Sequence, residues 1–178
     1  PGLDVRLSLD LELQKEADRL LGDHTGAIVL LNAETGEILV MASHPGYDPN
    51  LLDEQGSTLS THMDAPFLNR ATHGRYSFKN SLKPFTLVLL GKSLAHESEL
   101  YQLYQSLGYF STPVLRMLVT SSNATSEDLR ISPLQAGLSA AAISNGGIMP
   151  SPRIALAVDT PQQGWVVLPA LSEPSRVL

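Results

Sequence analysis

Cysteine is absent from this chain of 178 residues, which removes disulfides, thiol redox centres and cysteine-held metals from consideration. No apolar run approaches the ~18 residues that a membrane-spanning helix needs. The opening residues, PGLDVRL, carry neither Met nor a signal-peptide pattern, so the chain reads as part of a longer one. Charge is sparse, with 17% of residues Asp, Glu, Lys or Arg, against ~25% in an average domain. The formal net charge of -6 argues against nucleic acid or an anionic membrane surface as the main partner. The five histidines, His24, His44, His62, His73 and His96, show no H-x₃-H or H-E-x-x-H spacing. No metal and no cofactor is expected.

The length fits one domain over residues 1–178, large enough to bury roughly 70% of its unfolded surface. Residues 5–8 read as extended, and Asp10 is a good N-cap for a helix whose Leu13, Ala17, Leu20 and Leu21 form one apolar stripe, ended by Gly22. Residues 27–31 (AIVLL) and 38–42 (ILVMA) do not alternate, so both faces of this hairpin should be covered, with helices on either side. Residues 44–66 form a long connection broken by Pro45, Gly46, Pro49 and Asn50. Further helices are predicted from about Lys83 towards Ser93, over residues 98–107 up to Gly108, and from Ser132-Pro133 to about Ser144. The last has an N-cap serine, proline at N1 and Gln135 placed to close a capping box. Residues 108–127 read as irregular, and residues 153–158 and 165–168 as a second hairpin.

The chemistry-bearing stretch is residues 68–88, LNRATHGRYSFKNSLKPFTLV. It resembles the segment that carries the nucleophile in penicillin-binding proteins, the serine transpeptidases of the bacterial cell wall. There an Asn-Arg-Ala element leads to a tyrosine, Pro-Pro-Gly, and S-x-x-K followed by Pro-Phe. Asn69, Arg70, Ala71, Tyr76, Lys83, Pro84 and Phe85 match, and the position three before Lys83 is Asn80. S-x-x-K places hydroxyl and amine one helical turn apart, so that the lysine helps deprotonate an oxygen that attacks a carbonyl. An asparagine amide cannot form that ester, and loss of one member of such a unit costs on the order of 10⁶ in rate. Ser81, at i, i+2 to Lys83, projects away from it, and Ser77 lies six residues before it. Lys83 by itself reads as a solvated or paired lysine at a helix start.

Three further stretches resemble the same family in the same order: VRLSLDLELQKEADRLL, GAIVLLNAETGEILVMASHPGYDPN and ISPLQAGLSAAAISNGGIMPSPRI. The departures are consistent too. The family's second motif, S-x-N, falls by its spacing from Leu107-Gly108 on Ala95-His96-Glu97, without serine or asparagine. Ser121-Ser122-Asn123 spells S-x-N but lies after that helix and reads better as a polar loop. No K-T-G occurs, and the chain stops at SEPSRVL, before the family would reach it. The residues His96 and Glu97 are adjacent and do not face each other on a helix. Tyr101, Tyr104, Tyr109 and Phe110 read as core and rim packing, and Gly146-Gly147 as a helix exit.

The resemblance implies an α+β fold, an antiparallel sheet flanked by helices and truncated on its C-terminal side. It further implies no catalytic residues at the family positions Asn80, Lys83, Ala95 and Glu97, and a structural or partner-binding role in cell-wall or division assemblies. Two alternatives stay open: an active D,D-transpeptidase acting on peptidoglycan stem peptides and acylated by β-lactams, and a module that binds peptidoglycan without reacting. An extracytoplasmic location, membrane-associated through a preceding segment, follows from the resemblance alone. Lys83 and Asn80 are expected in one cleft, at the start of a helix packed on the first hairpin. The vacant sheet edge should be filled by a strand from elsewhere in the chain or by a neighbouring molecule, giving self-association through that edge.

Overall fold

The computed structural model of the chain describes residues 2–78, 83–91, 96–119, 125 and 128–177. Strand β1 (Val5–Leu7) leads into helix α1 (Leu11–Leu21). The Asp10 carboxylate accepts from the Glu12 and Leu13 amides, at 3.0 Å each. Such a cap is worth about 1 kcal/mol. Gly22, at φ 48°, ends the helix by donating its N–H to the Asp18 carbonyl. The buried face differs from the predicted stripe. Ala17 and Leu21 are buried with Gln14 and Asp18 partly covered, whereas Leu13 and Leu20 are exposed. The reason is a hydrogen bond that apolar periodicity does not register: the Met41 amide donates to the Gln14 side-chain oxygen at 2.9 Å and sets the helix rotation.

The central hairpin pairs β2 (Gly26–Leu31) with β3 (Ile38–His44), antiparallel, with a bulge at Leu30/Leu31. Ile28, Val40 and Ala42 pack against Ala17 and Leu21 of α1. On the other face Val29, Leu31 and Met41 join Leu134 and Leu138 of helix α6 (Pro133–Ser144). Helices therefore cover both faces, as the unbroken apolar runs predict.

The far edge of β3 meets other segments of the chain at three backbone groups. The Leu39 carbonyl accepts from Asp10 N–H, the Met41 amide reaches Gln14, and the Ile38 amide donates to the Arg153 carbonyl. The outer edge of β2 is different: among the described residues no strand pairs with it, and the β2–β3 sheet stays two-stranded. The expectation that a strand of this chain fills that edge is therefore not met by the described residues. The chain's second sheet lies elsewhere, with β1, β7 (Ala155–Thr160) and β8 (Gly164–Val167) in the order β1-β7-β8, all antiparallel. A parallel bridge between Glu37 and Arg153 joins the two sheets. The short strands β6 (Ile148–Met149) and β9 (Ser175–Arg176) pair with each other just beyond α6.

The connection after β3 is not structureless. It holds a 3₁₀ turn at Pro49–Leu51, capped by the Asp48 carboxylate on the Asn50 amide at 2.9 Å, and helix α2 (Leu52–Ser60). None of the residues of α2 is buried, so it lacks the apolar stripe that marks a packed helix. Asp48-Pro49 was the available signal, an N-cap followed by proline at N1.

Helices α4 (Lys83–Leu90) and α5 (Glu97–Ser106) complete the helical side, where Phe85, Leu103, Tyr104, Leu107, Tyr109 and Ala142 share one core cluster. Helix α4 thus packs into the α5–α6 cluster rather than on the first hairpin, contrary to expectation. Tyr104 and Tyr109 are core and Tyr101 stacks on Phe110 at the rim, with ring centroids 5.2 Å apart.

Candidate functional site

The Asn-Arg-Ala element is a structural knot. Asn69 caps the short helix α3 (Arg70–His73) by accepting from the Ala71 amide at 3.0 Å. The Arg70 guanidinium is buried and donates to the carbonyls of Asp64, Ala65 and Leu68. The Arg70 amide donates to Ser43 Oγ of β3 at 2.9 Å, and that hydroxyl donates on to the Leu68 carbonyl at 3.1 Å. These bonds fasten the segment leading to the family's nucleophile position onto the sheet.

After α3 the chain must turn tightly. A side chain on Gly74 would place its Cβ 2.5 Å from both the Arg70 carbonyl oxygen and the Tyr76 ring, so only glycine fits. Strand β4 (Tyr76–Ser77) then pairs with β5 (Arg130–Ile131), Tyr76 opposite Ile131. Burial pulls the neighbouring Arg75 guanidinium below its ordinary pKa. The β4–β5 pairing was not predicted, because two-residue strands leave no periodicity to read.

Beside this pairing lies a cleft of about 620 Å³. Ala27 and Val29 of β2, Tyr76, Phe78, and Ala136 and Gly137 of α6 form its walls. Its floor at α6 is low because the helix is lined with small side chains there; a Cβ on Gly137 would already come within 3.3 Å of Leu31. Ser132, at the same end, is committed to the predicted capping box: its hydroxyl accepts from the Gln135 amide at 3.2 Å and Gln135 Oε1 accepts from the Ser132 amide at 3.0 Å. No carboxylate, amine or imidazole is among the wall residues. The cleft suits an apolar or extended ligand by shape, and the Tyr76 phenol is the one acid–base group among its described walls.

Of the family positions, Asn80 and Ala95 lie outside the described residues, as do Ser81 and Ser121-Ser122-Asn123. Lys83 is the first residue of α4; it is exposed and is not among the cleft's wall residues. Glu97 is exposed in the first turn of α5, where the carboxylate of Glu99 accepts from the His96 amide at 2.9 Å. Ser77 is exposed on β4. The described histidines are dispersed. The most connected is His44, whose ring nitrogens meet the Gly22 carbonyl at 2.9 Å and Asp18 Oδ1 at 3.2 Å, holding the end of β3 to α1. Phe78, Ala136 and Gly137 are the cleft residues that sequence reasoning did not single out. The run of small residues on one side of α6 was the only trace they left.

The family model of the penicillin binding protein transpeptidase domain matches residues 26–93. The solved PBPA from Mycobacterium tuberculosis superimposes with a TM-score of 0.81 at 18% identity, over 99% of this chain and 61% of that one. The chain has a penicillin-binding protein transpeptidase-domain fold. A ceftriaxone acyl-enzyme complex of penicillin-binding protein A from M. tuberculosis gives a TM-score of 0.84 at 18% identity, over 99% of this chain and 59% of that one. The D,D-transpeptidase domain of a peptidoglycan glycosyltransferase from Eggerthella lenta gives 0.83 at 15% identity, over 99% and 63%. In sequence, the chain is 37% identical over 92 residues to the peptidoglycan D,D-transpeptidase MrdA of Escherichia coli K12, covering 49% of this chain and 14% of that protein. The MrdA of Acinetobacter baumannii is 40% identical over 88 residues, 47% of this chain and 13% of the relative. The chain thus matches only a small part of those relatives, and the residues matched by the family model include the hairpin, the Asn-Arg-Ala knot and Lys83.

Proposed function

We propose that this chain is a catalytically inactive transpeptidase-like domain with a structural or partner-binding role in peptidoglycan synthesis or cell division. The observation that carries the reading is Asn80, three residues before Lys83, amid otherwise intact Asn-Arg-Ala and Lys-Pro-Phe elements. The amide offers no nucleophile for an acyl-enzyme. Ala95 and Glu97 in place of S-x-N point the same way. No helix among the described residues is long and apolar enough to cross a membrane. An extracytoplasmic, membrane-associated setting is proposed on the likeness to peptidoglycan D,D-transpeptidases. Cell-wall or division proteins are the proposed partners; one solved structure of similar fold is that of a peptidoglycan synthase complex that coordinates polymerization and crosslinking. Non-covalent binding of peptidoglycan is a second reading, favoured by the uncharged cleft of about 620 Å³ beside Tyr76.

The test is incubation with fluorescent penicillin followed by intact-protein mass spectrometry. No covalent adduct is expected. A stoichiometric acylated species mapped to any serine would overturn the inactive reading and favour an active D,D-transpeptidase. Asn80→Ser alone is expected to leave acylation undetectable, and rapid labelling of that variant would show that the rest of the reactive site survives.

A further inference from the structure

From the placement of its sulfur atoms we infer that Met63 is a reversible oxidation site of this chain. Its thioether takes an oxygen atom from a hydroperoxide ahead of the other methionines and gives it up to a thiol-dependent sulfoxide reductase. The inference stands apart from whether position 80 is catalytic. It begins with composition: the chain has 4 methionines and no cysteine, so thioethers are the only sulfur that a peroxide can attack. A sulfur lone pair must meet the peroxide oxygen, and access to that lone pair sets the order of attack.

The fold places the four sulfurs unequally. Met41 of β3 is partly buried against the cluster of Ile38, Leu134 and Leu138, and its sulfur accepts from the Asn69 side-chain amide at 3.6 Å. Met117 packs on the same cluster, and Met149 of β6 packs on that cluster and on the one around Leu103. Met63 is 98% exposed, the most open large hydrophobic side chain among the described residues. It stands between α2 and the Arg70 knot, where the backbone is held on both sides. The His62 amide donates to the Leu59 carbonyl at 3.3 Å, the Ala65 amide to the His62 carbonyl at 2.9 Å, and the Arg70 guanidinium to the carbonyls of Asp64 and Ala65.

The side chain is therefore open while its attachment is fixed. A sulfoxide oxygen on Met63 is hydrated by solvent, and its formation removes no packing contact. On Met41, Met117 or Met149 the same oxygen would enter an apolar cluster, where a polar atom without a partner opposes folding. The reaction balances without a cofactor. With hydrogen peroxide, the sulfur lone pair attacks one oxygen, the S–O bond forms as the O–O bond breaks, and the departing hydroxide takes a proton and leaves as water. Sulfur loses two electrons and the peroxide gains them. Two thiols of a reductase return those electrons, leaving a disulfide and water. These 178 residues hold no thiol, so that reductant is external to them. Such an enzyme has to reach the sulfoxide in the folded chain, and Met63 is the methionine that offers it.

A time course with hydrogen peroxide, followed by peptide mapping in a mass spectrometer, tests the inference on the full chain. The Met63 sulfoxide is expected first, forming at least ~10-fold faster than the sulfoxide of any other methionine. Met63→Leu should abolish this fast phase and leave the slower ones in place. The protein oxidised once, at Met63, is expected to keep the urea midpoint of the unmodified protein. Methionine sulfoxide reductases of both epimer specificities, supplied with dithiothreitol, should restore its mass without denaturant. Four results would overturn the inference: equal rates at Met63 and any other methionine, a fast phase that survives Met63→Leu, a Met63 sulfoxide that lowers the midpoint, or one that is reduced only after unfolding.

Discussion

Arg70 offers a quantitative test of how the family's framework is held. Its guanidinium is 6% exposed and contacts no carboxylate among the described groups; it donates through Nη2 to the Asp64 carbonyl at 2.5 Å and through Nη1 to those of Ala65 at 3.1 Å and Leu68 at 3.4 Å. The first two are close enough to count as firm hydrogen bonds, whereas the third is too long. Bonds to a charged donor contribute about 1.5–3 kcal/mol each, but these carbonyls sit on an exposed loop where water recovers part of the loss. Arg70→Ala should therefore cost about 2–4 kcal/mol. Arg70→Lys should retain one contact and cost roughly half as much, because an ammonium cannot form the two-pronged contact. The measurement is urea denaturation of the three proteins at one pH, supplemented by limited proteolysis between residues 62 and 68. Cleavage there should quicken in the order wild type, lysine, alanine. If both variants unfold within about 0.5 kcal/mol of the wild type, the buried fork does not hold the loop and the reasoning fails.

Tyr109 is fully buried, and burial pushes its phenol from the ordinary value of 10.0 up to about 12, the Ser139 hydroxyl opposing part of the shift. The folded state thus favours the neutral phenol, a contribution fully present below pH 10 and lost as pH rises through about 12. Over that window roughly 2–3 kcal/mol should disappear, and Tyr109→Phe should remove this part of the alkaline decline in a pH series of denaturation curves. Gly36 holds φ at 73°, and a Cβ there would fall 1.9 Å from the Ser151 carbonyl oxygen. Gly36→Ala should cost more than ~2 kcal/mol, since backbone meets backbone with no flexible atom to yield; a thermal midpoint equal to wild type would show that the turn adjusts.

Local features of the chain were legible where one short segment contains both halves of the interaction. Asp10 capping α1, Gly22 ending it and the Ser132–Gln135 capping box all appear as read from sequence. The apolar runs of β2 and β3 likewise announced strands covered on both faces. The likeness of residues 68–88 to a transpeptidase segment led to the fold, because Asn69, Arg70 and Gly74 answer to constraints within a few residues of themselves. The rotation of α1 was misread, since it depends on Gln14 reaching an amide twenty-seven positions away. Helix α2 escaped because it buries nothing, and α4 was assigned to the wrong neighbour because Phe85 suits either apolar surface.

The sequence by itself determined that Asn80 stands three before Lys83, the residue on which the proposed inactivity rests, because a nucleophile is a matter of atoms rather than arrangement. It also determined the caps, turns and apolar periods, which are local free-energy preferences. Only the tertiary structure decided that β3 meets Asp10, Gln14 and Arg153 along its far edge, while among the described residues no strand pairs with the outer edge of β2. Which backbone groups go unpaired depends on how segments far apart in the chain meet, and no periodicity along a single strand carries that information.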